Sequence, residues 1–596
     1  MTKQLAETPA PTRALAPGRA WQLHVCAWLG LLALSLVLLF YPVHPTLDYA
    51  PIQATTAIPH LTLFAILFYV WFAILVGLLL LQGESLWQHL VLLVILTSVT
   101  QGVWILETQG HIREAVLYAT MVDYLKEGNR VAPGIESFGY FSWPGSFLLA
   151  TVVSQVASLS TWSALVALQL AWNGVFAILL YLLFLRTTKS PTLAWLGTLL
   201  ILVGSIQTAK LMQQFHPGTL GMVLFVLALF LLQRGDERDR NVLSGRFSFL
   251  LALSAMCIVH FVSSVTLMLV LASRAVVAGL ARHRLFLGNL IMLSAVLVVA
   301  WLIFYATGPF AGLTAVGKAS LGELFSDGIR PSSYFRALSR NYVGGEAPLW
   351  GAIIRYAWIL VLYLAGAVLA LVALLRIRRL GLAEQGALGL AIGVGAQGVI
   401  SFASGEGNII RFFTFAPIPF MMLVLIWLTT LSARARKLVL SVTIALLLAL
   451  SLPSFLANNN SINLNAFNRP TEQGVGKLLA GSYGKGQGVT VFGQTIPWQS
   501  FIPFAGYRYP FPSYLPEFTP GAFANEMRAE AEVFSQRPIA PGEKWVWMKS
   551  ERDILDGRYV LGADLEALSG WRSMEELLGN QNKIYDNKEI QVFFRE

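Results

Sequence analysis

Eleven largely apolar stretches run through this chain, at 22–41, 60–82, 88–106, 163–185, 191–207, 217–233, 286–307, 351–375, 384–402, 412–431 and 438–455. Each is close to the ~20 residues that a helix needs to cross a hydrocarbon core. A chain built this way cannot bury its apolar surface in water and reads as a polytopic α-helical membrane protein. Composition agrees: of 596 residues, 56% are hydrophobic and 12% charged, about half the charge of a soluble domain. A large soluble enzyme, a disordered chain and a disulfide-stapled secreted domain are thereby excluded. The two cysteines, Cys26 and Cys257, both sit in apolar runs, so no disulfide framework or cysteine metal site is legible.

The net charge of +10 is not a nucleic-acid signal, because the basic residues cluster between apolar runs at Arg234–Arg246, Arg376–Arg379 and Arg434–Lys437. That distribution marks cytoplasmic loops. It predicts a cytoplasmic tail over 1–21, a multi-pass protein of the cell (inner) membrane, and outer loops at 107–142 and 308–350. Shorter outer loops fall at 42–59, 208–216 and 403–411. Basic residues flank 247–281 on both sides, so two helices breaking near His260 are expected there. The run 143–160 begins and ends on the outer side by the same count and is read as a partial or re-entrant helix. Residues 456–596 change to Asn, Pro and Gly with short strand-like patches at Val489–Phe492 and Lys544–Met548. They read as an extracytoplasmic soluble α/β domain. No internal repeat is visible.

Polar chemistry gathers at the outer helix ends rather than mid-membrane. Within the first outer loop, Ala115, Tyr118, Val122 and Leu125 recur at helical spacing with charge on the other side. This predicts an amphipathic interfacial helix ending near Gly128. Glu114, one turn before Tyr118, is a candidate for pointing into a site, with Glu107 and His111 on its face if the helix extends back. Those three residues are also a candidate set for a divalent metal ion, although Gly110 interrupts them. Lys210, Gln214 and His216 precede Pro217 at a second outer turn, which either lines a polar cavity or is an ordinary solvated turn. His260 is either a ligand or a structural residue at the helix break. Arg411, at the start of a late helix, either forks a lipid phosphate or anchors to headgroups.

Taken in order, these motifs resemble those of the GT-C superfamily of membrane glycosyltransferases, including protein O-mannosyltransferases and aminoarabinose transferases. Arg113-Glu114 through Gly128 resembles the superfamily's acidic pair followed by an amphipathic helix. Phe141–Pro144 resembles its aromatic-x-x-Pro opening, and Gln214–Pro217 its outer turn. His260 matches a broken helix, Arg411 an Arg that opens a late helix, and Lys583–Arg595 the terminus of bacterial members. Two positions depart: Arg113 stands where the superfamily has its catalytic Asp, and Ser142-Trp143 where some relatives have Glu-Lys.

The resemblance covers 88–455 as a GT-C-like transmembrane domain and 456–596 as its soluble domain, leaving 22–87 as two extra N-terminal transmembrane helices. It implies transfer of a sugar from a polyprenyl-phosphate donor to a hydroxyl of a glycan, lipid or protein acceptor on the outer face. Glu114 would be the catalytic base, with Arg411 and Lys210 on the donor phosphate. Substrate would be bound by His111, Tyr118, Gln214, His216 and His260. Membrane lipid is an implied partner and nucleic acid is not. The two departures equally suit a non-catalytic or transport component for lipid-linked saccharides. A polysaccharide polymerase or ligase would use the same donor class.

Overall fold

Inside hydrocarbon every backbone N–H and C=O must be satisfied within the chain, which makes each apolar run a helix rather than an open strand. The structure, a computed structural model, describes residues 113–126, 143–204, 215–236, 242–281, 290–306, 349–403, 412, 414–432, 434–436, 438–439 and 442 of the helical part. Of the C-terminal part it describes 489–492, 532–536, 538–539, 541–542, 544–550, 578, 581–586 and 590–595. The expected helices at 22–41, 60–82 and 88–106 lie outside the described residues. So do the expected helix 438–455 and the loop 308–350, apart from 349–350, 438–439 and 442.

The described helices are α1 (Arg113–Lys126), α2 (Gly145–Val156), α3 (Thr161–Thr188), α4 (Pro191–Gly204), α5 (Pro217–Asp236) and α6 (Val242–Val259). They continue as α7 (Phe261–Ala281), α8 (Leu290–Phe304), α9 (Leu349–Leu375), α10 (Leu382–Ala403) and α11 (Pro417–Thr430). Three of these are long and apolar enough to cross a membrane: α3, α5 over Pro217–Gly235, and α7. The fold is that of a helical membrane protein. Local chemistry sets the ends of α3. The Ser160 hydroxyl accepts the Ser163 N–H at 3.1 Å, and Lys189 terminates the helix in the left-handed region at φ 55°. The break expected near His260 falls there, between α6 and α7.

The starts of α3, α5 and α7 share one end of the bundle. A Cβ on Gly221, in the second turn of α5, would lie 2.7 Å from His260 Cβ and 2.8 Å from Ser263 Oγ. The same end holds α3, because the fully buried Gln169 accepts the His216 backbone N–H at 3.3 Å. At the opposite end Gln233 donates to Thr187 Oγ1 at 2.9 Å, and Arg186 stands over the Phe230 ring at 5.8 Å. Arg186, Lys189 and Arg234 therefore sit away from His216 and His260, in the pattern that the basic clusters predict.

The 143–160 run resolves into a 12-residue helix, α2. At 1.5 Å per residue it is about 18 Å long, well short of the ~30 Å core. Its start lies beside the end of α6, where a Cβ on Gly145 would be 2.8 Å from Val259 Cγ2. The chain leaves α2 through Ser158, at φ 53°, and enters α3 at the end that carries His216. With both flanks in one layer, α2 runs along that layer and does not cross. Its outward stripe of Leu148, Val152 and Val156 is exposed, Val156 at 81%.

Close approach of α7 and α10 depends on two glycines at a four-residue spacing, the small-residue pattern that lets membrane helices meet backbone to backbone. A Cβ on Gly393 would lie 2.5 Å from Val270 Cα, and one on Gly389 would lie 2.7 Å from Arg274 Cγ. Arg274 is 2% exposed. This corrects the expectation that the apolar centres are nearly free of ionisable groups: one guanidinium is buried in the half of α7 remote from His260. Exposed apolar side chains on α8 and α9, among them Val296, Val299, Leu364 and Leu371, suit a surface facing lipid.

The described strands of the C-terminal part are β1 (Val489–Phe492), β2 (Lys544–Ser550), β3 (Asn582–Asp586) and β4 (Ile590–Arg595). They form one mixed sheet in the order β1-β2-β4-β3, with β1 parallel to β2 and the other pairs antiparallel. Both strand-like patches read from the sequence are strands here. The terminal motif supplies β3 and β4, which pair antiparallel. Trp545 and Phe593 are buried, and the Arg595 guanidinium donates to the Phe534 carbonyl.

Candidate functional site

The site is built where α1 docks on the shared helix ends. In α1 the apolar residues at helical spacing turn inward: Tyr118, Met121, Val122 and Leu125 are buried, as the amphipathic pattern predicts. Tyr118 is the central contact. Its ring lies 5.7 Å from Phe147 of α2, 6.1 Å from Phe215, and 5.5 Å from His216 at an interplanar angle of 90°. Phe215 also packs on Trp172 of α3 at 5.0 Å. An aromatic cluster thus joins four segments, each ring pair adding about 0.5–1.5 kcal/mol beyond its burial.

The C-terminal end of α1 is fastened by polar groups. Thr161, the first residue of α3, donates its hydroxyl to Asp123 Oδ1, and Lys126 Nζ donates to the same hydroxyl at 3.2 Å. Lys126 and Asp123 also form an ion pair at 4.0 Å. We expect Asp123→Ala to cost roughly 1 kcal/mol at this partly exposed contact. Hydrogen–deuterium exchange should then speed up along 113–126 while α5 stays protected. Unchanged exchange in α1 would show that the aromatic cluster alone holds it.

His216 sits at the N-terminus of α5, with Pro217 at the first helical position, where its missing N–H costs nothing. Behind it lies a buried polar group on α3. Gln169 Nε2 donates to Asn173 Oδ1 at 2.8 Å and to Thr219 Oγ1 at 3.3 Å, while its Oε1 accepts from His216. Gln169, Asn173 and Thr219 are all nearly inaccessible to solvent, and a buried amide is tolerated only when its polar atoms are bonded. A scan for charged residues passes over Gln169 and Asn173. The signal that finds them is two amides four residues apart, on one helix face, in an otherwise apolar run.

On the other flank, Trp143 packs on Phe261 at 5.5 Å. His260 pairs through Nδ1 with the Ser263 hydroxyl at 2.8 Å. Of the residues singled out from the sequence, Tyr118, His216 and His260 thus share one layer. Glu114 belongs to α1, one turn before Tyr118, and its side chain is outside the described part of the structure. His111, Lys210, Gln214 and Arg411 lie outside the described residues, as does Glu107 of the candidate metal set. Among the described residues no three His, Cys, Asp or Glu side chains are placed to hold a metal ion.

Fold and site together define a multi-pass helical membrane protein with a short helix, α1, seated against the shared ends of its spanning helices. No family description matches the sequence, and no curated protein matches it. Among solved structures, the chain is similar to the oligosaccharyltransferase of Archaeoglobus fulgidus in its apo form. Identity is 13% over 81% of this chain and 72% of that one, with a TM-score of 0.49. The archaeal enzyme AglB from the same organism, in complex with an inhibitory peptide and a dolichol-phosphate, is 12% identical over 80% of this chain and 71% of that one, with a TM-score of 0.49. ArnT from Cupriavidus metallidurans is 14% identical over 85% of this chain and 97% of that one, with a TM-score of 0.45.

Proposed function

We propose that the chain is a membrane glycosyltransferase that takes a sugar from a polyprenyl-phosphate donor and transfers it to an acceptor hydroxyl at the outer face. The observation that carries this reading is the seating of α1. Tyr118 against His216, and Asp123 against Thr161, hold the helix that bears Glu114 beside the shared ends of α3, α5 and α7, which this reading takes as the depth of a lipid headgroup. A lipid-linked substrate needs its reacting groups at that depth.

Glu114 accepts the proton of the acceptor hydroxyl as that oxygen attacks the anomeric carbon. The C–O bond to the phosphate breaks as the new one forms, and the polyprenyl phosphate leaves with the bonding pair. Arg411 and Lys210 stabilise the departing charge, and preorganised groups of this kind contribute several kcal/mol. His216 and His260 contact the substrate, with His111 and Gln214 in the neighbouring outer segments; Tyr118, read from the sequence as a substrate contact, is fully buried and instead supports His216 from behind. The N-terminus is cytoplasmic and the C-terminal domain is on the outer side of the cell membrane.

The test is to incubate the purified full-length protein with a panel of radiolabelled polyprenyl-phosphate sugars and added acceptors. Transfer or hydrolysis of at least one donor is expected. Inertness toward every donor, with the protein folded, would favour a carrier or scaffold for lipid-linked saccharides.

A further inference from the structure

Three arginines stand where α9 ends. The helix stops at Leu375, and one 3₁₀ turn, Ile377–Arg379, leads the chain back toward α10. Apolar contacts fix which way this turn faces: Ile377 and Leu380 pack with Val277 of α7 and Leu388 of α10. Two polar bonds hold its exit. The Leu380 carbonyl accepts Gln385 Nε2 at 2.8 Å, and the Gly381 N–H donates to Glu384 Oε2 at 2.7 Å. Val277 is about 24 Å along α7 from its start, so the turn lies at the end of the bundle remote from His260.

A 3₁₀ turn repeats every three residues, so side chains at i and i+3 eclipse. With Ile377 and Leu380 inward, Arg376 and Arg379 stand together on one outer side, and the Arg379 N–H donates to the Arg376 carbonyl at 2.8 Å. Arg378 takes the remaining side, three residues beyond Leu375. All three arginines are exposed, and among the described residues no acid pairs with them. The acid next along the chain, Glu384, is already engaged on the Gly381 N–H. Above the turn, Leu364, Val368, Leu371 and Leu375 of α9 are all exposed, Leu375 at 78%. Their spacing makes one stripe along the helix. It is about 17 Å long, close to half of the ~30 Å hydrocarbon core.

We propose that this end of α9 binds an anionic phospholipid of the leaflet remote from His260, with one acyl chain along the Leu364–Leu375 stripe and the headgroup phosphate among Arg376, Arg378 and Arg379. The stripe has the length of one leaflet's chain and stops where the guanidinium groups begin. Guanidinium forks suit phosphate oxygens. A zwitterionic headgroup brings its own cation to a turn that has no free acid to receive it, whereas phosphatidylglycerol brings the phosphate charge alone. The site is independent of the substrate handled at the opposite end.

The test uses the full-length protein in detergent micelles containing equal amounts of dioleoyl phosphatidylglycerol and dioleoyl phosphatidylcholine, with retained lipid counted by native mass spectrometry. Wild type should retain phosphatidylglycerol in clear excess. Arg376→Gln, Arg378→Gln and Arg379→Gln should each lower that preference by about fivefold, the usual worth of one basic residue at an anionic surface. Arg234→Gln removes a cation from the same end of the bundle, on α5, and should leave the preference unchanged. Equal retention of both lipids by wild type would overturn the proposal. So would an equal loss in Arg234→Gln, which would mark a diffuse surface charge. Displacement of the lipid by glycerol phosphate at the same concentration would make this a site for a soluble phosphate ester and not for a lipid. Should a Gln variant fail to accumulate, wild type decides: phosphatidylglycerol with a photoreactive acyl chain should label 364–379. Labelling spread evenly over the remote end would overturn the site.

Discussion

Glu114→Gln is expected to lower sugar transfer by about 10²–10⁴-fold, the usual contribution of a positioned general base, while leaving the protein folded. The amide is nearly isosteric and keeps hydrogen bonding, but it cannot take the acceptor's proton. The loss should appear in kcat more than in KM, because the acid acts on the reacting hydroxyl and not on the donor's lipid chain. Asp123→Ala serves as a comparison on the same helix: it loosens the far end of α1 without removing the acid. Wild-type transfer by Glu114→Gln would remove this residue from the mechanism and point to another acid in the first outer loop, Glu107 being the nearest singled out there.

Substitution of Gly393 should be the most damaging change to stability. A Cβ there would stand 2.5 Å from Val270 Cα and 2.7 Å from Val270 N. These are backbone atoms that cannot swing aside, so α7 and α10 must separate. Overpacking of this kind costs about 1–3 kcal/mol for modest additions. Gly393→Ala should lower the melting temperature in detergent by several degrees, and Gly393→Leu should prevent a folded product from accumulating. Gly395 lies two residues along the same helix with nothing within 4 Å of its added Cβ. There alanine should be neutral or stabilising by about 0.5–1 kcal/mol through its better helix propensity. Equal effects at 393 and 395 would show that the α7–α10 contact is looser than described.

The residues that were legible in the sequence are those whose signal is periodic or conserves parity. Tyr118, Val122 and Leu125 recur on one helix face, so the docking face of α1 follows from spacing alone. The α6–α7 break follows from basic residues on both sides of 247–281, since charge on one side of a membrane demands an even number of crossings. Less legible was the course of 143–160, where apolar composition alone resembles a span. Its end depends on two local devices, the positive φ of Ser158 and the Ser160 cap. Arg274, Gln169 and Asn173 were passed over because a few polar groups barely lower the average of a long apolar run. Gly389 and Gly393 were passed over because hydropathy counts them as filler, whereas their value is the absence of a side chain. That His216 and His260 each turn Nδ1 toward an N–H of the helix that follows needed coordinates, since nothing in a His-Pro or His-Phe pair states which ring nitrogen faces the helix.

The course of α2 has a consequence for the membrane around the protein. A rod about 18 Å long and about 10 Å wide, with Leu148, Val152 and Val156 turned outward, takes up area in one leaflet and none in the other. Among the described helices, α2 therefore adds width on the side of His216 and none on the side of Arg186. Such a wedge sits with least strain where that leaflet is stretched, so the chain should partition toward outwardly bulging bilayer. There, loosened headgroup packing would also ease the sideways arrival of a long-tailed substrate.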